Sequence, residues 1–290
     1  MIPTLERAFF SPAGTRLLFA ARVILALQAL WIVLSRPELP ELSAWPQVFW
    51  SGAPPGLRAR FAFVPLGLAF DRVRYGALIA ALVATLAGLW PRVSGAVAAS
   101  LLYQFAPMEE VIAGMPHTSF GGLTTPVIGL FLFAFAEAPA RDAAPSPEFR
   151  WPVALTRLFF AFSYVSPLLA KLRFAGPTWF TADNIRAWIM VNAPITDAPW
   201  GAAVVASDAL CWAVALGTLA LEALFPLAVF SRRAAWILVP LAAAFHLGTA
   251  LTLGYFFPSL PLLLLFVDWD LIPALRSTRP IGAAAASSQR

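Results

Sequence analysis

The sequence predicts an all-α, polytopic transmembrane helical bundle of about eight membrane segments, with the N-terminus and the C-terminus both cytoplasmic. Three observations carry that expectation. Of the 290 residues, 60% are apolar and 12% charged, and the mean hydropathy is +0.77. A water-soluble domain carries roughly 25% charge and 45–50% apolar residues. The chain also holds 24 Phe and 11 Trp, more aromatic bulk than one water-soluble core uses. Finally, apolar runs approaching the ~20 helical residues needed to cross a hydrocarbon layer recur along most of its length. An ordinary cytosolic enzyme, a disordered chain and a nucleic-acid module are thereby excluded. The net charge of +5 comes from basic residues scattered between apolar runs, which read as topology signals rather than as a patch for nucleic acid. A single cysteine, Cys211, excludes a disulfide framework and a thiolate metal site.

Taken in order, the spans are expected near 16–34, 75–90, 93–107, 118–136, 152–171, 203–230, 234–252 and 255–270. The first is too long for a cleaved signal peptide, and Arg36-Pro37-Glu38 follows where small residues would mark a cleavage site. The second and third are short and form a tight pair about the turn Trp90-Pro91-Arg92. The stretch 61–70 is too short to cross and is expected at the interface or re-entering. Between the spans lie 35–60, 107–117, 137–150 and 172–202, none long enough for a separate domain. Residues 1–280 are thus expected to form one transmembrane domain, and 281–290 a disordered, dispensable tail.

Arginine placement sets the orientation. With the N-terminus inside, eleven arginines fall on the inner side, against seven cationic residues on the outer side with most of the acidic ones. Four of the outer seven (Arg58, Arg60, Arg72 and Arg74) crowd into 53–74, the segment that fits this topology worst.

An ionisable group at mid-bilayer costs about 2.5–3.5 kcal/mol or more, so each one needs a reason. Lys171 is the only lysine in the chain, at the outer end of a span and four residues after Pro167. Lysine, unlike arginine, can lose its proton on burial and serve as a base; the alternative is a lysine snorkelling at the membrane edge. His117 lies in MPHTSFGG, where Thr118 or Ser119 can cap the following helix and the helix dipole favours a neutral imidazole. A loop histidine in water is the competing reading. His246 lies in LAAAFHLGTALTLG, and Glu222 stands at a similar depth across the Arg232-Arg233 turn. A structural carboxylate–imidazole pair between Glu222 and His246 is therefore expected. Two histidines, with no HExxH and no carboxylate cluster, make a metal or haem site unexpected. No nucleophile motif supports acyl transfer, and no paired broken helices point to a transporter.

Three stretches, in order, resemble the membrane portion of the vitamin K-dependent γ-carboxylases and their bacterial relatives, the horizontally transferred transmembrane (HTTM) domain family. They are LAGLWPRVSG at 86–95 running on to MPHTSFGGL at 115–123, SYVSPLLAKLRFAGPTWFTADNIRAWI at 163–189, and FHLGTALTLGYFFPSLPLLLLF at 245–266. Coverage is about 16–270. The resemblance implies that Lys171 is the base that deprotonates a reduced vitamin K-type naphthoquinone (menaquinol). Oxygenation by O2 then produces a base that removes a γ-proton from a glutamyl substrate, and CO2 adds to the carbanion. It implies that His117 supports the quinone oxygen chemistry and that His246 helps to form the pocket. Trp179, Phe120 and Tyr255 are expected to stack on the ring. It places the protein in a bacterial inner membrane with the active site toward the outer leaflet, the side the arginine count gives for Lys171. The departures are Ala170 where vertebrate members have a second lysine, Pro116 before the motif histidine, and no counterpart of the large extramembrane domain. A peptide substrate, a small molecule or a soluble partner protein is expected to take that domain's place. The runner-up is a non-catalytic membrane protein that binds quinone or lipid, or anchors a redox partner.

Overall fold

A computed structural model describes residues 2–46, 67–113, 122–140, 143–196 and 198–272, and among these it contains α-helices, 3-10 and π turns, and no β-strand. The helices are α1 (Ile2–Phe10), α2 (Thr15–Leu34), α3 (Leu68–Leu86), α4 (Pro91–Ala113), α5 (Thr124–Phe135), α6 (Trp151–Ala170), α7 (Ala182–Thr196), α8 (Gly201–Val205), α9 (Asp208–Leu224), α10 (Leu227–Phe230) and α11 (Arg232–Leu253). Three helical stretches are long and apolar enough to cross a membrane: Thr15–Leu34, Pro147–Phe180 (α6 with its flanking turns) and Arg232–Leu253. At 1.5 Å per residue, the 20 residues of α2 extend about 30 Å, the thickness of a bilayer core.

Their faces are sorted as a membrane requires. On α11, Trp236, Ile237, Leu241 and Leu247 point outward, each more than half exposed, while His246 faces inward. Phe19, Leu27 and Trp31 of α2 and Phe131 and Phe135 of α5 extend this apolar exterior. So much exposed aliphatic and aromatic surface is stable only against lipid or a partner.

The main core surrounds α2, which packs against α3, α5 and α6 through Leu18, Leu25 and Ala29. Gly129 sets the approach of α5. A Cβ there would lie 2.6 Å from Leu25 Cδ1 and 3.0 Å from Thr156 Cγ2. Gly129→Val should therefore push α5 off α2 and α6 and cost about 1–3 kcal/mol, read as a lower unfolding temperature in detergent. A second, smaller core joins α7 to α9 through Ile185, Ile189, Cys211 and Ala215.

Several expectations need correction. The run 255–270 is not an α-helix: Gly254 ends α11 in the left-handed region, and Pro258 and Pro261 each lack the amide a helix needs. A 3-10 segment follows at Leu260–Phe266. The run nevertheless travels the length of α2 in the opposite direction. Phe256 packs edge-on to Trp31 at 5.9 Å, Gln28 Nε2 donates to the Pro258 carbonyl, and Asp270 meets the first turn of α2. There the Asp270 carboxylate accepts from Gly14 N at 2.8 Å and from Leu17 N at 3.2 Å, capping α2 from the far end of the chain. Asp270→Ala should cost about 1 kcal/mol, measurable by the same thermal unfolding.

The expected span 203–230 is cut into α8, α9 and α10, with Ser207 capping α9 and Pro226 starting a new turn. The presumed outer piece 172–202 contains α7, a wall of the site described below. Arg74, counted as an outer-side charge, is instead buried in α3. It pairs with Asp71 at 2.6 Å and donates to Gln104. The stretch 61–70 lies mostly outside the described residues, as do Arg58, Arg60, the helix start at 118–121 and the tail 281–290.

Candidate functional site

The geometry of the site begins with α6. Tyr164 and Lys171 are seven residues, two helical turns, apart, so both project from one face. Between them Pro167 removes the amide that would have bonded the Ser163 carbonyl. Just beyond, Lys171–Ala175 form a π turn that ends at Gly176 with φ +54°. π turns widen a helix and recur at functional positions. Here the widened turn carries the chain around to Trp179.

Lys171, Glu222 of α9, His246 of α11, Trp179 and Tyr255 all line one cavity of about 370 Å³, together with Tyr164 and Trp188. Lys171 Nζ donates to Glu222 Oε1, and the two side chains are only 14% and 6% exposed. The same ammonium lies 4.8 Å from the centroid of the Trp179 ring, and Trp188 stands 6.4 Å beyond Trp179. Its charge is thus met by a carboxylate and an aromatic face. Deeper in, the Tyr164 hydroxyl and His246 Nε2 share a 2.8 Å hydrogen bond. Tyr164 stacks on Phe225 at 4.0 Å, and Phe257 closes on the imidazole at 4.9 Å. These rings fix both polar groups in place.

Three buried polar atoms of cavity-lining residues have no hydrogen-bond partner among the described residues: Glu222 Oε2, His246 Nδ1 and the Trp179 indole N–H. Leaving a buried polar atom unmade costs about 1–3 kcal/mol, so a fold keeps such atoms where something else meets them. When the Tyr164 hydroxyl donates to His246 Nε2, Nδ1 carries the proton and becomes a donor. The cavity then offers two donors and a carboxylate oxygen inside walls that include the rings of Trp179, Trp188, Phe245 and Phe257. That suits a flat, apolar ring with oxygens at its edge.

The expected Glu222–His246 pair is replaced. Glu222 is engaged by Lys171 and His246 by Tyr164, although both line the same space. A carboxylate gains more from an ammonium than from a neutral imidazole, and α6 passes within reach of both helices. His117 and Phe120 lie outside the described residues. Tyr164 and Trp188 had no assigned role in the sequence. The available signal was the two-turn spacing of Tyr164 from Lys171, in a chain with four tyrosines.

No family model, no curated protein and no solved structure matches this chain.

Proposed function

We propose that the chain is a multi-pass protein of a bacterial inner membrane that oxidises a reduced isoprenoid naphthoquinone in the cavity at Lys171. In this reading there are about eight membrane segments, with 255–270 crossing as a non-α strand of chain shielded by α2. Both termini are cytoplasmic and the cavity faces the outer leaflet. The observation that carries the proposal is the cluster of three unpartnered buried polar atoms beside an ammonium–carboxylate pair in an aromatic cavity. The resemblance of 163–189 and 245–266 to the γ-carboxylase and HTTM family supplies the chemistry: quinol and O2 give the quinone epoxide and water.

Each residue's task follows from its position. Trp179 and Tyr255 hold the ring, and the Trp179 N–H and His246 Nδ1–H donate to its oxygens. Tyr164 fixes the tautomer of His246. Lys171 and Glu222 together hold the proton taken from the quinol hydroxyl. The pair has no net charge either as ammonium with carboxylate or as amine with carboxylic acid, so a proton can pass between Oε1 and Nζ without creating a charge in an apolar site. The amine form leaves a lone pair at Nζ to act as base. Coupling to carboxylation of a glutamyl substrate with CO2 is the extension that the family resemblance adds.

The test is to purify the full chain in detergent, supply menaquinol and oxygen, and measure epoxide by chromatography. Catalytic formation of epoxide supports the reading, whereas oxidation no faster than in protein-free detergent overturns it. The Lys171–Glu222 ion pair favours one second reading, a membrane protein that binds quinone or lipid without turnover or anchors a soluble redox partner, because a satisfied pair can be purely structural.

A further inference from the structure

At the opposite end of α6 lies a second cavity of a different character. It measures about 450 Å³ and is lined by Arg7 of α1, Arg150 and Arg157 at the start of α6, and Arg232 at the start of α11, with Asp268 as the lining carboxylate. Arg157 is fourteen residues before Lys171, about 21 Å along the helix, so the two cavities are separate. Four guanidiniums against one carboxylate leave a formal excess of three positive charges, brought together from three helices.

Two of these arginines also build the wall. Arg157 Nε donates to the Leu265 carbonyl at 2.6 Å, and its guanidinium stands 5.7 Å from the Phe266 ring centroid. Arg150 Nε donates to the Ser11 carbonyl at 2.8 Å. Arg232 is exposed and has no hydrogen bond or ion pair among the described residues. Apart from Thr4, the remaining lining is apolar and includes Leu17, Val229 and Phe266. The pocket therefore combines cationic and apolar lining. α1, which lines it through Thr4, Arg7 and Ala8, carries the exposed side chains Leu5 and Phe10.

We infer that this cavity binds the phosphate of an anionic ligand, and that a phospholipid headgroup is its source. Guanidiniums match phosphate oxygens in geometry and charge, and basic pockets between membrane helices take anionic headgroups. The apolar lining residues accommodate the glycerol and the first carbons of the acyl chains, which a free phosphate would leave unfilled.

The experiment uses the full chain in detergent micelles and titrates dioleoylphosphatidylglycerol, dioleoylphosphatidylcholine or inorganic phosphate, reading bound lipid by native mass spectrometry and stabilisation by thermal unfolding. Phosphatidylglycerol should bind at least about tenfold more tightly than phosphatidylcholine, and less tightly as salt is raised. The Arg7→Gln/Arg232→Gln double variant leaves Arg150 and Arg157 in place, and gel filtration and circular dichroism confirm that it is folded. It should lose at least about tenfold in that affinity. Inorganic phosphate that competes at matching concentrations keeps the phosphate site but identifies a soluble source. Equal binding of the two lipids with no effect of phosphate, or a folded double variant that binds as well as the native chain, overturns the inference.

Discussion

Lys171→Arg is expected to lower quinol conversion by at least a hundredfold while the protein still folds and inserts. Arginine keeps the positive charge and can donate to Glu222, so the ion pair, and with it the packing of α6 on α9, survives. What is lost is the ability to release a proton and offer a lone pair at the cavity surface. Removing a general base costs about 10²–10⁴ in rate. The check is epoxide formation per folded protein, with folding followed by circular dichroism and gel filtration. Full activity in the arginine variant would remove Lys171 from the chemistry and leave it a structural cation.

The second large effect is on stability. Glu222→Gln leaves Lys171 in the same space without its counter-charge. Breaking a buried pair by removing one partner costs about 3–5 kcal/mol. Side-chain exposures of 14% and 6% place this pair in that regime rather than among solvated surface pairs. A clear fall in unfolding temperature in detergent is expected, together with loss of turnover. The Lys171→Met/Glu222→Met double variant separates the two consequences. Replacing both charges by apolar side chains of similar volume should restore most of the stability and none of the quinol conversion. A double variant that still converts quinol would show the pair to be scaffolding alone.

The sequence made the helices legible wherever apolar length was enough. α2, α6 and α11 follow directly from runs at 16–34, 152–171 and 234–252. It misled where proline changed the backbone without changing the hydropathy: 255–270 is as apolar as a span, yet it runs beside α2 as irregular and 3-10 chain. α7 escaped notice because its helix carries Asp183, Arg186 and Asn192 among apolar residues, the composition of an outer loop. Asp208 at the start of α9 engages Arg186, and Ile185 and Ile189 pack on Cys211 and Ala215 of α9, which is how a partly polar helix comes to wall the cavity.

The site was legible as a set of residues but not as a set of pairs. Lys171, Glu222, His246, Trp179 and Tyr255 each stand out in the sequence and do meet in one cavity. Their partners depend on how α6, α9 and α11 turn about their axes, which hydropathy does not encode. Depth along a hairpin brought Glu222 and His246 to one level, but a third helix, α6, supplied each with a different partner.

The most direct measurement is photolabelling with an azido-naphthoquinone that carries an isoprenoid tail, followed by peptide mapping. The label is expected to attach to residues of 163–192 and 245–259, and excess menaquinone to compete it away. Label scattered over lipid-facing positions such as Trp236, unaffected by the competitor, would contradict it.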